Sequence, residues 1–174
     1  MPADWKPAKR RQKDTDASWT QKHGKHHFGY KLSFNVDAKY KVIRRFQCDT
    51  ARVHDSLHFE AVVDLHNTSR DVYADRGYPS AEREAWLNQH GYRNHIQRKG
   101  HRHKPLSDCQ QRRNVRIAKT CACVEHMFAS IEQMGGKLIR SVGQARANFA
   151  MTMMAACYNL KRLVCFRRAG IEAF

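Results

Sequence analysis

Acidic residues are scarce in this chain: 16 Asp and Glu stand against 32 Lys and Arg, a formal net charge of +16 over 174 residues. That excess goes beyond what solubility needs and predicts a polyanionic partner. Charge alone leaves a merely basic soluble protein open, because it speaks to partners and not to fold. Long apolar runs are also missing. The longest, Phe149 to Cys157, is interrupted by Thr152 and falls well short of the ~20 residues a membrane span requires. The six cysteines, at positions 48, 109, 121, 123, 157 and 165, show no paired spacing of the disulfide-scaffold or zinc-ribbon kind. No secretory-type stretch precedes them, so they are expected to be cytoplasmic thiols. Histidines cluster at His23, His26 and His27, at His54 and His58, and at His101 and His103 before Cys109. None of these groups makes a closed set of four zinc ligands. Internal repeats and low-complexity segments are absent. What remains is a chain with 41% hydrophobic residues and a mean hydropathy of -0.76, long enough to bury about 70% of its unfolded surface as one globular unit.

Residues 1 to 25 are polar and basic, with Pro2, Pro7 and the run Lys9-Arg10-Arg11, and are expected as a tail or loop. From His27 to Val36 the residues Phe28, Tyr30, Leu32, Phe34 and Val36 alternate with more polar neighbours, the period of a half-buried strand. A turn at Asp37-Ala38-Lys39 and a second strand from Val42 to Cys48 complete a predicted hairpin. Asp55-Ser56 is placed to cap a helix to about Leu65. A short strand over 71 to 74 follows, then a helix opened by Ser80 and closed near Gly91, then a strand over 92 to 97. Ser107 and Gln110 have capping-box spacing, which predicts a long helix ending at Gly135-Gly136. Its inward stripe reads as Val115, Ala118, Ala122, Glu125 and Ala129, flanked by Val124, Phe128 and Ile131. The last predicted helix, 142 to 166, turns Ala145, Phe149, Met153, Ala156, Leu160 and Val164 inward at helical spacing. This order of elements suits an α/β layer architecture.

Two carboxylates stand in unusual surroundings. In Val72-Tyr73-Ala74-Asp75-Arg76-Gly77-Tyr78, Asp75 ends a short apolar strand just before a turn. In Ala122-Cys123-Val124-Glu125-His126-Met127-Phe128, Glu125 interrupts an apolar helical stretch. Taken alone, Asp75 also fits an ordinary turn-forming Asp, and a roll of the helix would expose Glu125. An isolated carboxylate among apolar neighbours is otherwise costly unless it is paired or metal-bound.

With Lys25-His26-His27-Phe28-Gly29-Tyr30-Lys31 and Val53-His54-Asp55-Ser56, these two segments resemble the catalytic core of insertion-sequence DDE transposases, in particular the group named after insertion sequence five, over roughly residues 9 to 166. The resemblance implies an RNase H-like mixed sheet flanked by helices, and a catalytic domain over 26–166 between a basic lead-in, 1–25, and a tail, 167–174. It implies Mg²⁺ held by Asp75 and Glu125, DNA as partner (transposon ends and target), cleavage and strand transfer, and a cytoplasmic, nucleoid-associated protein. The family's first catalytic Asp lies on a central strand upstream of the segment resembling Ala8 to Trp19. This chain is therefore expected to lack that strand and to be inactive alone, with self-association or an upstream transposase fragment as the source of a complement. Without that strand three outcomes are expected: an open slot, direct pairing of 27–36 with 71–74, or filling by another segment or chain. Where the family usually carries Arg four and two residues before the Glu, this chain has Cys121 and Cys123. The cations expected at DNA are Lys9, Arg10, Arg11, Lys13, Lys22 and Lys25 in the lead-in, then Arg98, Lys99, Arg102, Lys104, Arg112, Arg113, Arg116 and Lys119. A third group, Lys161, Arg162, Arg167 and Arg168, closes the chain. A basic DNA-binding remnant without catalysis is the competing expectation.

Overall fold

The computed structural model describes residues 4–22 and 24–172; His23 of the first histidine cluster lies outside them. Two elements form where the composition predicts a tail: a short helix α1 (Pro7–Arg11) and a strand β1 (Ser18–Lys22). β1 is too short and polar for alternation to reveal it. Its pairing with the next strand is supported by Trp19 packing on Phe28, ring centroids 5.2 Å apart. The strands β2 (Lys25–Val36) and β3 (Ile43–Thr50) form the expected antiparallel hairpin. In its turn Asp37 accepts backbone N–H bonds from Lys39 and Tyr40, and Lys41 adopts a left-handed φ of 60°. β1 pairs with Lys25–Gly29 and β3 with Tyr30–Val36, so the two neighbours cover successive parts of β2.

The lead-in is fastened by Asp14. Its carboxylate accepts from the Tyr30 hydroxyl at 2.8 Å, from the Ala17 amide at 3.2 Å and from the Gly143 amide at 3.0 Å, while Asp16 accepts from the Gln144 amide at 3.0 Å. Partial burial raises the Asp14 pKa, but the bonds from Gly143, Tyr30 and its neighbours outweigh it and hold the carboxyl below its ordinary range. A carboxyl depressed in the folded state stabilises above its unfolded value of about 3.9 and loses that contribution as pH falls through the folded value. Asp14→Ala is expected to cost about 2 kcal/mol at neutral pH. Urea unfolding checks it, and the difference between variant and parent should shrink as the pH falls below the ordinary carboxylate range.

After β3 a 3₁₀ turn (Asp55–His58) leads into α2 (Phe59–Val62), shorter than the predicted helix to Leu65. The cap is the ring of His54, whose Nδ1 accepts from the Ser56 amide, not Asp55 or Ser56. The helix stops because Val63 is extended and Asp64 is drawn to Arg44 at 2.7 Å. β4 (Asp71–Ala74) and β5 (Arg93–Ile96) pair in parallel, joined through α3 (Ala81–Gln89). Ser80 caps α3, and Ser107 and Gln110 form the capping box of α4 (Asp108–Gln133), which precedes α5 (Gln144–Arg168). Ser33 and Asn35 of β2 bond to His58 and to Val62 O on one face, while Phe34 packs edge-on to Phe128 of α4 on the other. The chain is thus a mixed α/β protein, with an antiparallel three-stranded sheet and a parallel two-stranded one.

Both long helices turn differently from their predicted stripes. α4 buries Asn114, Ile117, Cys123, Met127 and Ile131, leaving Val115, Ala118, Glu125 and Ala129 exposed and Ala122 half-buried. Met127, with Ile131 from the predicted flank, removes more apolar area from water than the alanines of the predicted stripe. α5 buries Ala147, Met151, Ala155, Tyr158 and Phe166 and exposes Ala145, Phe149, Met153, Ala156, Leu160 and Val164. It is apolar on two sides, and polar anchors choose between them. The Tyr158 hydroxyl donates to Lys41 O, Asn159 brackets the backbone of Ile43 from both sides, and Arg162 donates to Tyr40 O.

The core falls into two clusters. Phe59, Val63, Ala74, Leu87, Tyr92 and Ile96 form one around β4 and β5; Ile43, Met127, Ile131, Ala155 and Tyr158 form the other against the hairpin. Between them β2 and β4 do not pair but belong to separate sheets, so direct pairing of 27–36 with 71–74 is not found. Ala51 N donates to Gly29 O, which by antiparallel geometry turns the backbone groups of Leu32 and Phe34 away from β3. On β4, Arg93 N donates to Arg70 O and Gln97 N to Ala74 O, which turns the Tyr73 backbone away from β5. These groups have no backbone partner among the described residues.

Candidate active site

A cleft of about 1370 Å³ lies along the two open strand edges. His58, Phe59, Val62 and Val63 line one side, and Thr120, Cys121, Val124, Glu125 and Phe128 of α4 line the other. Asp75 stands where β4 ends. Its Oδ1 accepts the Gly77 amide at 2.7 Å, and Tyr78 N donates to its carbonyl at 3.4 Å. This closed turn stops the strand and presents the carboxylate to the cleft; a side chain at position 77 would come within 3.0 Å of that Oδ1. Glu125 projects from the flank of α4 exposed by the helix roll. The two sides are electrostatically close. Burial, and then the charge of Asp75, push the thiol of Cys121, one turn before Glu125, up to about 11. Cys123 is buried on a different side of the helix, so the two thiols do not converge.

Seven carboxylates line the cleft: Asp37, Asp55, Asp64, Asp71, Asp75, Glu125 and Glu132. Asp64 is paired with Arg44 and Arg45, Asp71 with Arg93 and His95, Asp55 with Lys31 and Glu132 with Lys137. Asp37 holds two amides of the hairpin turn. Among the described residues only Asp75 and Glu125 stand without either a cation or such a double backbone anchor. The sequence reading passed over Asp64, Tyr78 and the Asp55–Lys31 pair. Tyr78 lies between the charges: burial, then Asp55 and Asp75, raise its phenol. No group of three or more His, Cys, Asp or Glu among the described residues is arranged to hold a metal ion. Asp14 and Asp16 are committed to the start of α5 and absent from the cleft lining.

Most of the cations expected at DNA are exposed: Lys9, Arg10, Arg11 and Lys13 in the lead-in, Arg98, Lys99, Arg102 and Lys104 in the loop, and Arg112, Arg116 and Lys119 on α4. Lys9 and Lys13 lie over the ring of Trp5. Arg113 differs. It is half-buried, and its two terminal nitrogens donate to Ile96 O and Asn94 O, binding α4 to β5. Asn114 fixes the loop start by bonding both the amide and the carbonyl of Arg98.

Compared with known protein families, residues 2–160 match the transposase DDE domain. Among curated proteins, the transposase for insertion sequence element IS1106 of Neisseria meningitidis serogroup B is 33% identical over 152 residues, which is 87% of this chain and 50% of that protein. The chain therefore spans about half the length of this relative. No solved structure matches.

Proposed function

The chain belongs to the transposase DDE domain family, and on that footing we propose that it forms part of the catalytic core of a DNA transposase, with Asp75 and Glu125 as two of its metal-binding carboxylates. The observation that carries this reading is the isolation of those two side chains. In a chain of net charge +16, Lys or Arg neutralises four of the other five carboxylates lining the cleft, and Asp37 is spent on its turn, while Asp75 and Glu125 are left open in the same cleft. Hard oxygen donors without a competing cation suit Mg²⁺. A divalent ion bound there would supply activation of an attacking oxygen and relief of charge on a leaving one. The chain's own part is placement. The turn at Gly77 fixes one Asp75 oxygen, a continuous helix mounts Glu125 rigidly, and the exposed cations of the 98–104 loop and the start of α4 hold phosphates.

We assign the architecture to an RNase H-like frame over 26–166, with DNA as substrate and hence a nucleoid-associated protein. The support is its layering, an antiparallel hairpin followed by a parallel pair with helices on both faces, and the cleft where a central strand would lie. In this reading an extended segment outside the strands described here completes the sheet and brings the third carboxylate. No helix among the described residues is long and apolar enough to cross a membrane. The competing reading, a basic DNA-binding remnant, shares the charge but needs no metal. Titration with Mn²⁺ followed by electron paramagnetic resonance separates the two. Weak saturable binding that disappears in Asp75→Asn and in Glu125→Gln is expected; equal binding by parent and variants would overturn the assignment.

A further inference from the structure

The ribbon of β1 and β2 carries an aromatic pair that the rest of the described residues leave open. Trp19 and Phe28 face each other across the two strands, ring centroids 5.2 Å apart, yet they are 65% and 51% exposed. Two large rings in mutual contact that still keep this much surface in water forgo apolar burial. They are tilted 50° to each other, so a flat group laid on the face of one meets the edge of the other. That shape seats one planar ligand. The surroundings are of one sign. No acidic residue occurs from Ala17 to Val36, while Lys22 and Lys25 stand exposed as partners beside the ribbon turn. Phe28, Lys22 and His27 also line the cleft that holds Asp75 and Glu125.

We propose that Trp19 is a stacking seat for an unpaired DNA base, with Phe28 as its brace and Lys22 and Lys25 as contacts to the flanking phosphates. The proposal rests on the reading of the cleft as a DNA site and adds which state of the DNA the ribbon takes. In an intact duplex the base faces are hidden in the stack, so these rings offer a duplex nothing beyond what the lysines offer. A base freed from pairing, at a frayed or nicked end, exposes its π face. Stacking on an aromatic side chain then accepts any base, because every base has such a face. An apolar protein segment would cover the same rings but brings no negative charge to the lysines. Trp19 is the larger and more exposed ring, which makes it the seat, and the cross-strand contact holds Phe28 against it.

The test compares, by fluorescence anisotropy of the full chain at fixed salt, an oligothymidine of about 15 nucleotides with an abasic strand of the same length and charge. The parent is expected to bind the oligothymidine about 10-fold more tightly. Trp19→Leu keeps an apolar contact to Phe28 without a π face and should bind both strands equally, whereas Trp19→Phe should keep most of the preference. A Trp19 that only braces the ribbon would be replaced as well by Leu. A direct readout is the emission of Trp19 in a chain carrying Trp5→Phe and Trp86→Phe: the oligothymidine should quench it and the abasic strand should not. Equal affinity of the parent for the two strands would hand the aromatic pair to a protein surface and overturn the proposal. A preference that survives Trp19→Leu, or emission that stays unquenched, would overturn it too. Duplex affinity, its salt dependence and Mn²⁺ binding are expected to be unchanged in Trp19→Leu, and a duplex affinity that falls in step with that for oligothymidine counts against the seat. Absence of duplex and Mn²⁺ binding in the parent would sink the transposase reading, while loss of the oligothymidine preference alone sinks only the stacking seat.

Discussion

Affinity for duplex DNA of arbitrary sequence is expected to fall by about 10³-fold or more between 50 and 200 mM salt, because each phosphate contact releases a condensed counterion and the dependence scales with the number of contacts. The exposed set is large enough for that slope. Arg98, Lys99, Arg102 and Lys104 extend from the start of the loop, and Arg112, Arg116 and Lys119 continue along the outer side of α4. Asn114 holds the loop to that helix through both backbone groups of Arg98, so the two groups act as one surface. Neutralising Arg112, Arg116 and Lys119 together should lower the log–log slope by about 3. Arg113→Ala should leave the slope unchanged and lower stability, because its guanidinium is spent on the carbonyls of β5. Fluorescence anisotropy across the salt range measures both. An affinity flat in salt would remove phosphate contact from the account.

What could be read from the sequence was what short-range chemistry decides. Ser80 and Ser107 announce their helices because the hydroxyl oxygen and the backbone N–H that donates to it lie within one turn, and the β2–β3 hairpin shows in its alternation. Asp75 and Glu125 stood out through their neighbours along the chain, and both line one cleft. The faces of α4 and α5 were not legible, since each helix carries apolar residues on more than one side. The choice was made by contacts distant in sequence, such as Asn159 with Ile43 and Tyr158 with Lys41. The same distance hid Asp14: its partner Gly143 is 129 residues away, and nothing local distinguishes a latch from a polar tail. Arg113 and Arg162 read as DNA cations from composition, yet each satisfies backbone carbonyls of a neighbouring element.

The isolated chain, given Mg²⁺ or Mn²⁺, is expected to show no strand cleavage or transfer on any DNA, and the reason lies in the two open strand edges. Neighbouring strands sit about 4.8 Å apart, so a single strand between β2 and β4 would span roughly 10 Å and meet backbone partners on both sides. Leu32, Phe34 and Tyr73 present those partners, and a buried N–H or C=O left unpaired costs about 1–3 kcal/mol. An inserted strand would thus stabilise the domain by an amount comparable to a sizeable share of the ~5–15 kcal/mol that holds one together. On the proposed reading such a strand would reach the cleft that Asp75 and Glu125 line and would bring the third carboxylate that two ions sharing ligands need. Asp14 and Asp16 are not available for that place, since their oxygens bind the first amides of α5. The measurement is nicking of supercoiled plasmid by a nuclease-free preparation. Efficient cleavage that disappears in Asp75→Ala would overturn the incomplete-site reading and require a third ligand within this chain. Asp55 is then the first to substitute: it lines the cleft and, with Asp75, raises the phenol of Tyr78, while its one cation, Lys31, stands at 3.6 Å.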